Sequence, residues 1–325
     1  MFLDTNLNQK MANFPQSSKS FCERAVVLVP TCNPGPTWPN FLEAIQQQAV
    51  QPLKVVILDS ESTDGSAQAA QARGYQVQTV SRRRFNHGGT RQQGIEQHTS
   101  GAEFVIFLTQ DAILADPYAL RNLLQAFNDP QVAAAYGRQL PHHNATPIAA
   151  HARLFNYPPQ SHTVTLQDKT HKGIKTCFLS NSFAAYRLSA LHQVGGFATD
   201  LILGEDMHLA ARLLLAGHAI RYQANANVYH SHSYSLREEL GRYFDTGVFH
   251  AQQRWLIETF GSAANEGIQF IRSEQHYLIK KSAYLLPEAL LRNLMKYAGF
   301  KTGQFHAHMP QWLAKGLSMH KGYWV

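Results

Sequence analysis

Cysteine is scarce in this chain, with three residues in 325, at Cys22, Cys32 and Cys177. Their wide spacing fits no zinc pattern and no disulfide framework, so they are expected as reduced thiols. The sequence also lacks any run of eighteen or more apolar residues, so no membrane-spanning helix is expected. Residues 1–20 are polar with scattered Phe and Leu and lack the continuous apolar stretch of a secretory signal. A cytoplasmic protein with a flexible leader over residues 1–23 is therefore expected. Charged residues make up only 16% of the chain against 44% hydrophobic, a globular composition and not a disordered one. No internal repeat or low-complexity tract stands out.

Acidic residues are outnumbered, 22 against 29 basic, which leaves a net charge of +7 and a pI near 9.3. The excess is uneven. From His276 to Val325 there are seven basic residues (Lys280, Lys281, Arg292, Lys296, Lys301, Lys315, Lys321) and one acid, Glu288. Apolar and aromatic residues interleave with them, among them Tyr277, Leu278, Tyr284, Trp312, Leu313, Tyr323 and Trp324. A helix that is basic on one side and apolar-aromatic on the other can lie on an anionic membrane surface. A solvated helical face, partly packed onto the rest of the chain, is the alternative. No nucleic-acid recognition motif accompanies the charge, so nucleic acid is not an expected partner. A homo-oligomer stays open.

What the sequence does have is alternation of apolar strands with helical stretches. Ala25 to Val29, Lys54 to Leu58, Gln76 to Val80 and Phe104 to Leu108 read as strands, the last buried on both faces. Helices are expected up to about Gln48, over Gly65 to Arg73, over Gly88 to His98 and from beyond Pro117 to about Phe127. This order predicts an α/β fold with a mainly parallel sheet flanked by helices. Val132 to Gly137 and Phe183 to Arg187 read as further strands, and Leu209 to Ala216 as part of an amphipathic helix. Residues 141–176 read as a loop region with one helix around Ile148 to Phe155. Beyond Tyr234 the periodicity is helical almost throughout. A boundary near 233 divides residues 24–232 from a helical region, 233–325.

Acidic and polar groups follow several of the apolar segments. Pro30, Thr31, Cys32 and Asn33 follow the first strand. Asp59 to Ser66 follow the second, Asp111 follows Phe104 to Leu108, and Gly204-Glu205-Asp206 opens a helix. In open α/β sheets, ligands bind outside the C-terminal ends of the strands. Each acid also has a plainer role open to it. Asp64 suits a helix cap, Glu205 and Asp206 suit a helix N-terminus, and Asp59 and Asp111 suit turns.

The segments Val26 to Asn33 and Val56 to Ser66 resemble the entrance of the family 2 glycosyltransferases, nucleotide-sugar-dependent enzymes of the GT-A fold. Arg84-Phe85-Asn86-His87-Gly88-Gly89-Thr90-Arg91-Gln92-Gln93-Gly94-Ile95 resembles their rhamnosyltransferase branch, and Leu313 to Trp324 resembles the ending of bacterial polysaccharide rhamnosyltransferases. The resemblance implies that Pro30, Thr31, Asn33 and Asp59 serve the nucleotide. It implies that Arg84, Asn86, His87 and Arg91 lie near the diphosphate or sugar, with Gln110 beside them. Thr109-Gln110-Asp111 stands in the place of the metal motif, so Asp111 would hold Mg²⁺ or Mn²⁺. The usual first carboxylate of that motif is Thr109 here, and His230 or His232 is the candidate to complete the site. Asp206 would be the general base, supported by Glu205. The implied donor is dTDP-L-rhamnose and the implied acceptor a surface glycan, lipid-linked and met at the inner face of the membrane. A UDP- or GDP-hexose donor, or a non-catalytic nucleotide-binding assembly component, is the rival.

Overall fold

The computed structural model describes residues 21–262 and 266–324. The expected leader therefore lies outside the described residues except for its last three. Nine strands and thirteen helices are described. In chain order they are β1 (Ala25–Thr31), α1 (Trp38–Gln46), β2 (Lys54–Asp59), α2 (Ser66–Ala72), β3 (Gln76–Thr79), α3 (His87–His98), β4 (Phe104–Leu108), β5 (Ile113–Leu114), α4 (Ala119–Leu124) and β6 (Val132–Leu140). There follow α5 (Pro147–Asn156), β7 (His162–Val164), α6 (Lys169–Lys172), β8 (Phe183–Arg187), α7 (Leu188–Gln193), α8 (Glu205–Leu215) and β9 (Ala219–Tyr229). The C-terminal helices are α9 (Leu236–Gln252), α10 (Arg254–Phe260), α11 (Glu266–Lys281), α12 (Leu286–Gln304) and α13 (Gln311–Leu317).

The sheet runs β3-β2-β1-β4-β8-β6-β9-β5, with β7 added against β9. Its first four strands are parallel, as helical crossovers require. β8 then enters antiparallel to both β4 and β6, and β6 pairs parallel with β9. The result is a mixed sheet in which β1 sits between β2 and β4, so successive crossovers leave it in opposite directions. That reversal opens a crevice at the C-terminal strand ends.

Alternating residues of the central strands feed two cores. Val26, Leu28, Val105 and Phe107 face one side, and Val27, Val29, Phe104, Ile106 and Leu108 the other. Helix α1 covers the second face through Trp38, Phe41, Leu42 and Ile45. Helix α8 covers the first through Leu209, Leu213 and Leu214.

The C-terminal helices share that first core. Phe244 and Val248 of α9, Leu256, Phe260 and Ala314 all belong to it, and Trp324 packs against it. The boundary expected near residue 233 falls between β9 and α9 without dividing this core. Helices α9 and α12 approach so closely that a Cβ on Gly247, Gly299 or Gly303 would strike a backbone carbonyl of the other helix.

Candidate active site

The crevice is tied together at its floor. Asn33, with φ of 45°, accepts from the backbone N–H of Thr63 at 2.8 Å and donates its own N–H to Ser62 Oγ at 2.8 Å. Thr31 is buried, and its hydroxyl donates to the Val29 carbonyl at 3.1 Å. Asp59 is buried too. One carboxylate oxygen accepts from Ser62 N–H at 3.0 Å, and the other, Oδ1, has no hydrogen-bond partner among the described residues. Pro30 does not end the strand but lies within β1, in register with Leu58 of β2. The N-cap of α2 is Gly65, not Asp64, whose carboxylate stands one residue earlier and accepts from Ser66 N–H at 3.1 Å.

Gln110 clasps the backbone of Cys32. Its oxygen accepts that N–H at 2.7 Å and its amide donates to the carbonyl at 3.2 Å. This amide therefore joins the loops after β1 and β4. Asn86 has an equally local task. Its oxygen accepts the Gly89 N–H at 2.9 Å as the N-cap of α3, and its amide donates to the Leu201 carbonyl at 2.8 Å. Arg84 ends a 3-10 turn, Arg82–Arg84, and its side chain lies outside those described.

Beside that loop, Asp111, His230 and His232 converge, with one ligand atom from each lying within 4.8 Å of the others. Oδ2 of Asp111 is 3.3 Å from His230 Nε2 and 3.6 Å from His232 Nε2. The two histidines follow β9, whose last residues pair with β5 just beyond Asp111. The His230 and His232 rings meet edge to face at 4.6 Å, and Tyr234 stacks on His232 at 5.0 Å. Burial works against ionising Asp111, but His230, His232 and Thr109 outweigh it and hold the carboxyl well below the usual range. Burial, reinforced by His230, lowers His232 to about 4, so its imidazole is neutral at pH 7. One carboxylate oxygen and two imidazole nitrogens are a donor set suited to a divalent transition metal. Mg²⁺ prefers oxygen alone.

The acid pair opens α8. Gly204, the N-cap, has φ of 77°, and a Cβ there would sit 2.9 Å from the Phe249 ring. Glu205 is buried against Arg91, Oε1 to Nη1 at 3.0 Å, and accepts from Asn181 Nδ2 at 3.1 Å. Burial opposes its charge, yet Arg91, His87 and that hydrogen bond prevail and keep its pKa low. Arg91 also donates to the His87 carbonyl at 2.9 Å and lies over the Phe107 ring. Its guanidinium is thus directed at Glu205. His87 is pushed down to about 4 by burial, so it offers hydrogen bonding and not charge at pH 7. Asp206 is different. Burial, then the Glu205 charge, pushes it up to about 6, against hydrogen bonds from the backbone N–H groups of Met207 at 2.8 Å and Asn181 at 3.2 Å.

These groups share one cavity of about 630 Å³, lined by His87, Arg91, Asp111, Glu205, Asp206, His230 and His232. Its opposite wall comes from the C-terminal helices, through Glu239, Arg242, Tyr243, Arg292 and Lys296. Thr31, Asn33 and Asp59 lie outside that wall, in the adjoining strand-end crevice. Sequence reasoning missed Asn181, which ties both acids together and accepts from Tyr186 OH at 2.7 Å. Its one signal is the polar run Ser180-Asn181-Ser182 leading into an apolar strand. It also missed the cavity wall from α9 and α12, because amphipathic helices do not announce what they face.

A sheet of this order carrying acids at its strand ends, with a helix-borne acid pair across the cavity, is the GT-A design. Residues 26–195 match the family model described as glycosyl transferase family 2. The chain belongs to that family and is a glycosyltransferase. It is 45% identical over 302 residues to the O-antigen chain rhamnosyltransferase RfbN of Salmonella typhimurium, covering 93% of this chain and 96% of the relative. It is equally similar, 45% over 299 residues, to the O-antigen chain rhamnosyltransferase WbaN of Salmonella anatum, covering 92% and 95%. Among solved structures it is similar to a mannosyltransferase from Pyrobaculum calidifontis in complex with GDP-Man and Mn²⁺. That match has a TM-score of 0.55 at 18% identity, over 97% of this chain and 90% of the other. The structural likeness speaks for the fold alone.

Proposed function

We propose that this glycosyltransferase is an inverting, metal-dependent rhamnosyltransferase, moving L-rhamnose from dTDP-β-L-rhamnose onto a lipid-linked surface glycan. The observation that carries the reading is 45% identity to O-antigen rhamnosyltransferases along almost the whole chain. The convergence of Asp111, His230, His232 and Asp206 on one cavity supports the chemistry.

Asp59, with one buried carboxylate oxygen that lacks a partner among the described residues, would accept from an N–H of the nucleotide base. Asp111, His230 and His232 would hold Mn²⁺ in preference to Mg²⁺. When bound, that ion would neutralise charge on the departing diphosphate as a Lewis acid. Asp206 would take the proton of the acceptor hydroxyl as it attacks the anomeric carbon. A carboxylate raised to about 6 suits that role, being largely ionised at pH 7 and still basic enough to receive a proton. Glu205 would remain ionised on Arg91 and keep Asp206 raised. One base and one displacement invert the anomeric centre.

The wall of Glu239, Arg242, Tyr243, Arg292 and Lys296 would receive the acceptor. On α12, Leu290, Leu294 and Tyr297 are exposed at helical spacing, near Lys301. No helix among the described residues is long and apolar enough to cross a membrane. This face supports peripheral docking on an anionic membrane surface, where a lipid-linked acceptor is met.

The test is release of dTDP from dTDP-rhamnose with Mn²⁺ and acceptor, with the product anomer assigned by NMR. Turnover only with a UDP- or GDP-hexose would replace the donor. Binding without turnover would favour a non-catalytic component.

A further inference from the structure

We infer that Gln139 is a positioning residue for the metal site: by accepting the Nδ1–H of His230, it fixes the ring tautomer that leaves Nε2 free to bind a cation beside Asp111. The inference rests on reading Asp111, His230 and His232 as metal ligands, and it concerns a residue with no part in the sequence motifs.

Gln139 is buried near the end of β6, among Arg153, His230 and Ser180. Its oxygen lies 2.5 Å from Arg153 Nη1 and 2.7 Å from His230 Nδ1, and its amide nitrogen lies 2.9 Å from Ser180 Oγ. The two ends of a glutamine amide are ordinarily interchangeable in a structure, because oxygen and nitrogen have nearly the same shape. Arg153 removes that freedom. A guanidinium carries only donors, so the atom facing it must be the amide oxygen. An oxygen can only accept, so Nδ1 of His230 must carry a proton. The Ser180 hydroxyl, which can accept, takes the amide N–H and completes the clamp. Arg153 is itself steadied over the Tyr157 ring at 5.9 Å.

The consequence appears on the far side of the ring. With Nδ1 protonated, the neutral form of the ring carries its lone pair on Nε2, which lies 3.3 Å from Asp111 Oδ2. In that form a cation between or beside the two atoms would satisfy both. His232 brings a second nitrogen to 3.6 Å of the same oxygen. A ligating histidine fixed through its other nitrogen in this way is the usual arrangement at metal centres, and removing the outer partner commonly weakens binding. The clamp also accounts for how the site manages with Thr109 where a second carboxylate would stand. Its second and third ligands come from the segment that follows β9, and Gln139 of β6 orients the first of these.

The experiment is Mn²⁺ titration of the full-length chain, free ion read by EPR, for the wild type, Gln139→Leu and Gln139→Glu. Melting temperatures are recorded alongside. Wild type binds Mn²⁺. Gln139→Leu cannot accept from His230 and binds about tenfold or more weakly. Gln139→Glu accepts from both His230 and Arg153 and keeps the wild-type affinity within about threefold. Unchanged affinity in Gln139→Leu overturns the inference. So does a Gln139→Glu protein that folds yet loses about tenfold, and this arm decides alone if Gln139→Leu does not fold. If the wild type binds no Mn²⁺, it is the metal reading of the three ligands that falls.

Discussion

Glu205 and Asp206 are adjacent in the first turn of one helix and are perturbed in opposite directions. Glu205 is kept ionised by Arg91 at 3.0 Å, and its charge, added to burial, raises Asp206 to about 6. Two carboxylates pushed apart by their surroundings are a usual sign of divided labour. The first expectation follows. Asp206 must be deprotonated to act as a base, so kcat should rise with pH through about 6 and level off above it. Replacing Glu205 by Gln removes the neighbouring negative charge, which lowers the Asp206 pKa and moves that limb to lower pH. A pH-rate profile of both proteins checks this. A limb that does not move would mean another group titrates there.

Arg91 and Glu205 form a buried pair, both largely inaccessible to water. Arg91→Met leaves the carboxylate buried without its cation and should cost about 3–5 kcal/mol in urea unfolding. Arg91→Met combined with Glu205→Gln should cost clearly less than the two single losses added, because the residues interact directly. Strict additivity would contradict the pairing.

The sequence made the parallel half of the sheet and its acids legible, because strands such as Phe104 to Leu108 are buried on both faces and read as unbroken apolar runs. β9 escaped notice. Its sequence, AIRYQANANVY, is short of bulky apolar residues and is buried by β6 and β7 instead. The tautomer of His230 was also beyond reach, since Gln139 is 91 residues away and is brought to it by the β6–β9 pairing. Arg91, which the resemblance put near the diphosphate or sugar, lines the cavity with its guanidinium paired to Glu205.

The C-terminal helices bear on the cavity through close backbone contact. Gly303→Ala would drive a methyl group into the Phe244 carbonyl. It should lower stability by about 1–3 kcal/mol and reduce acceptor turnover, because Arg292 and Lys296 of the same helix line the cavity. Gly316→Ala, whose Cβ would meet nothing within 4 Å, is the control and should stay within about 0.5 kcal/mol of wild type. Thermal unfolding and transfer assays separate the two.

Leu290, Leu294 and Tyr297 of α12 expose 56%, 57% and 64% of their surfaces. Changing all three to Ser should sharply reduce sedimentation with vesicles containing anionic lipid and leave the melting temperature close to wild type. Raising salt should weaken wild-type binding as the Lys contribution is screened. Equal binding by both proteins would remove α12 from the docking face.

The most direct test of the central claim compares Asp206→Asn with wild type in two assays, rhamnosyl transfer from dTDP-rhamnose and binding of dTDP in the presence of Mn²⁺. Loss of the general base should lower kcat by about 10²- to 10⁴-fold, with the affinity for dTDP little changed. An Asp206→Asn enzyme that transfers rhamnose at the wild-type rate would contradict the account.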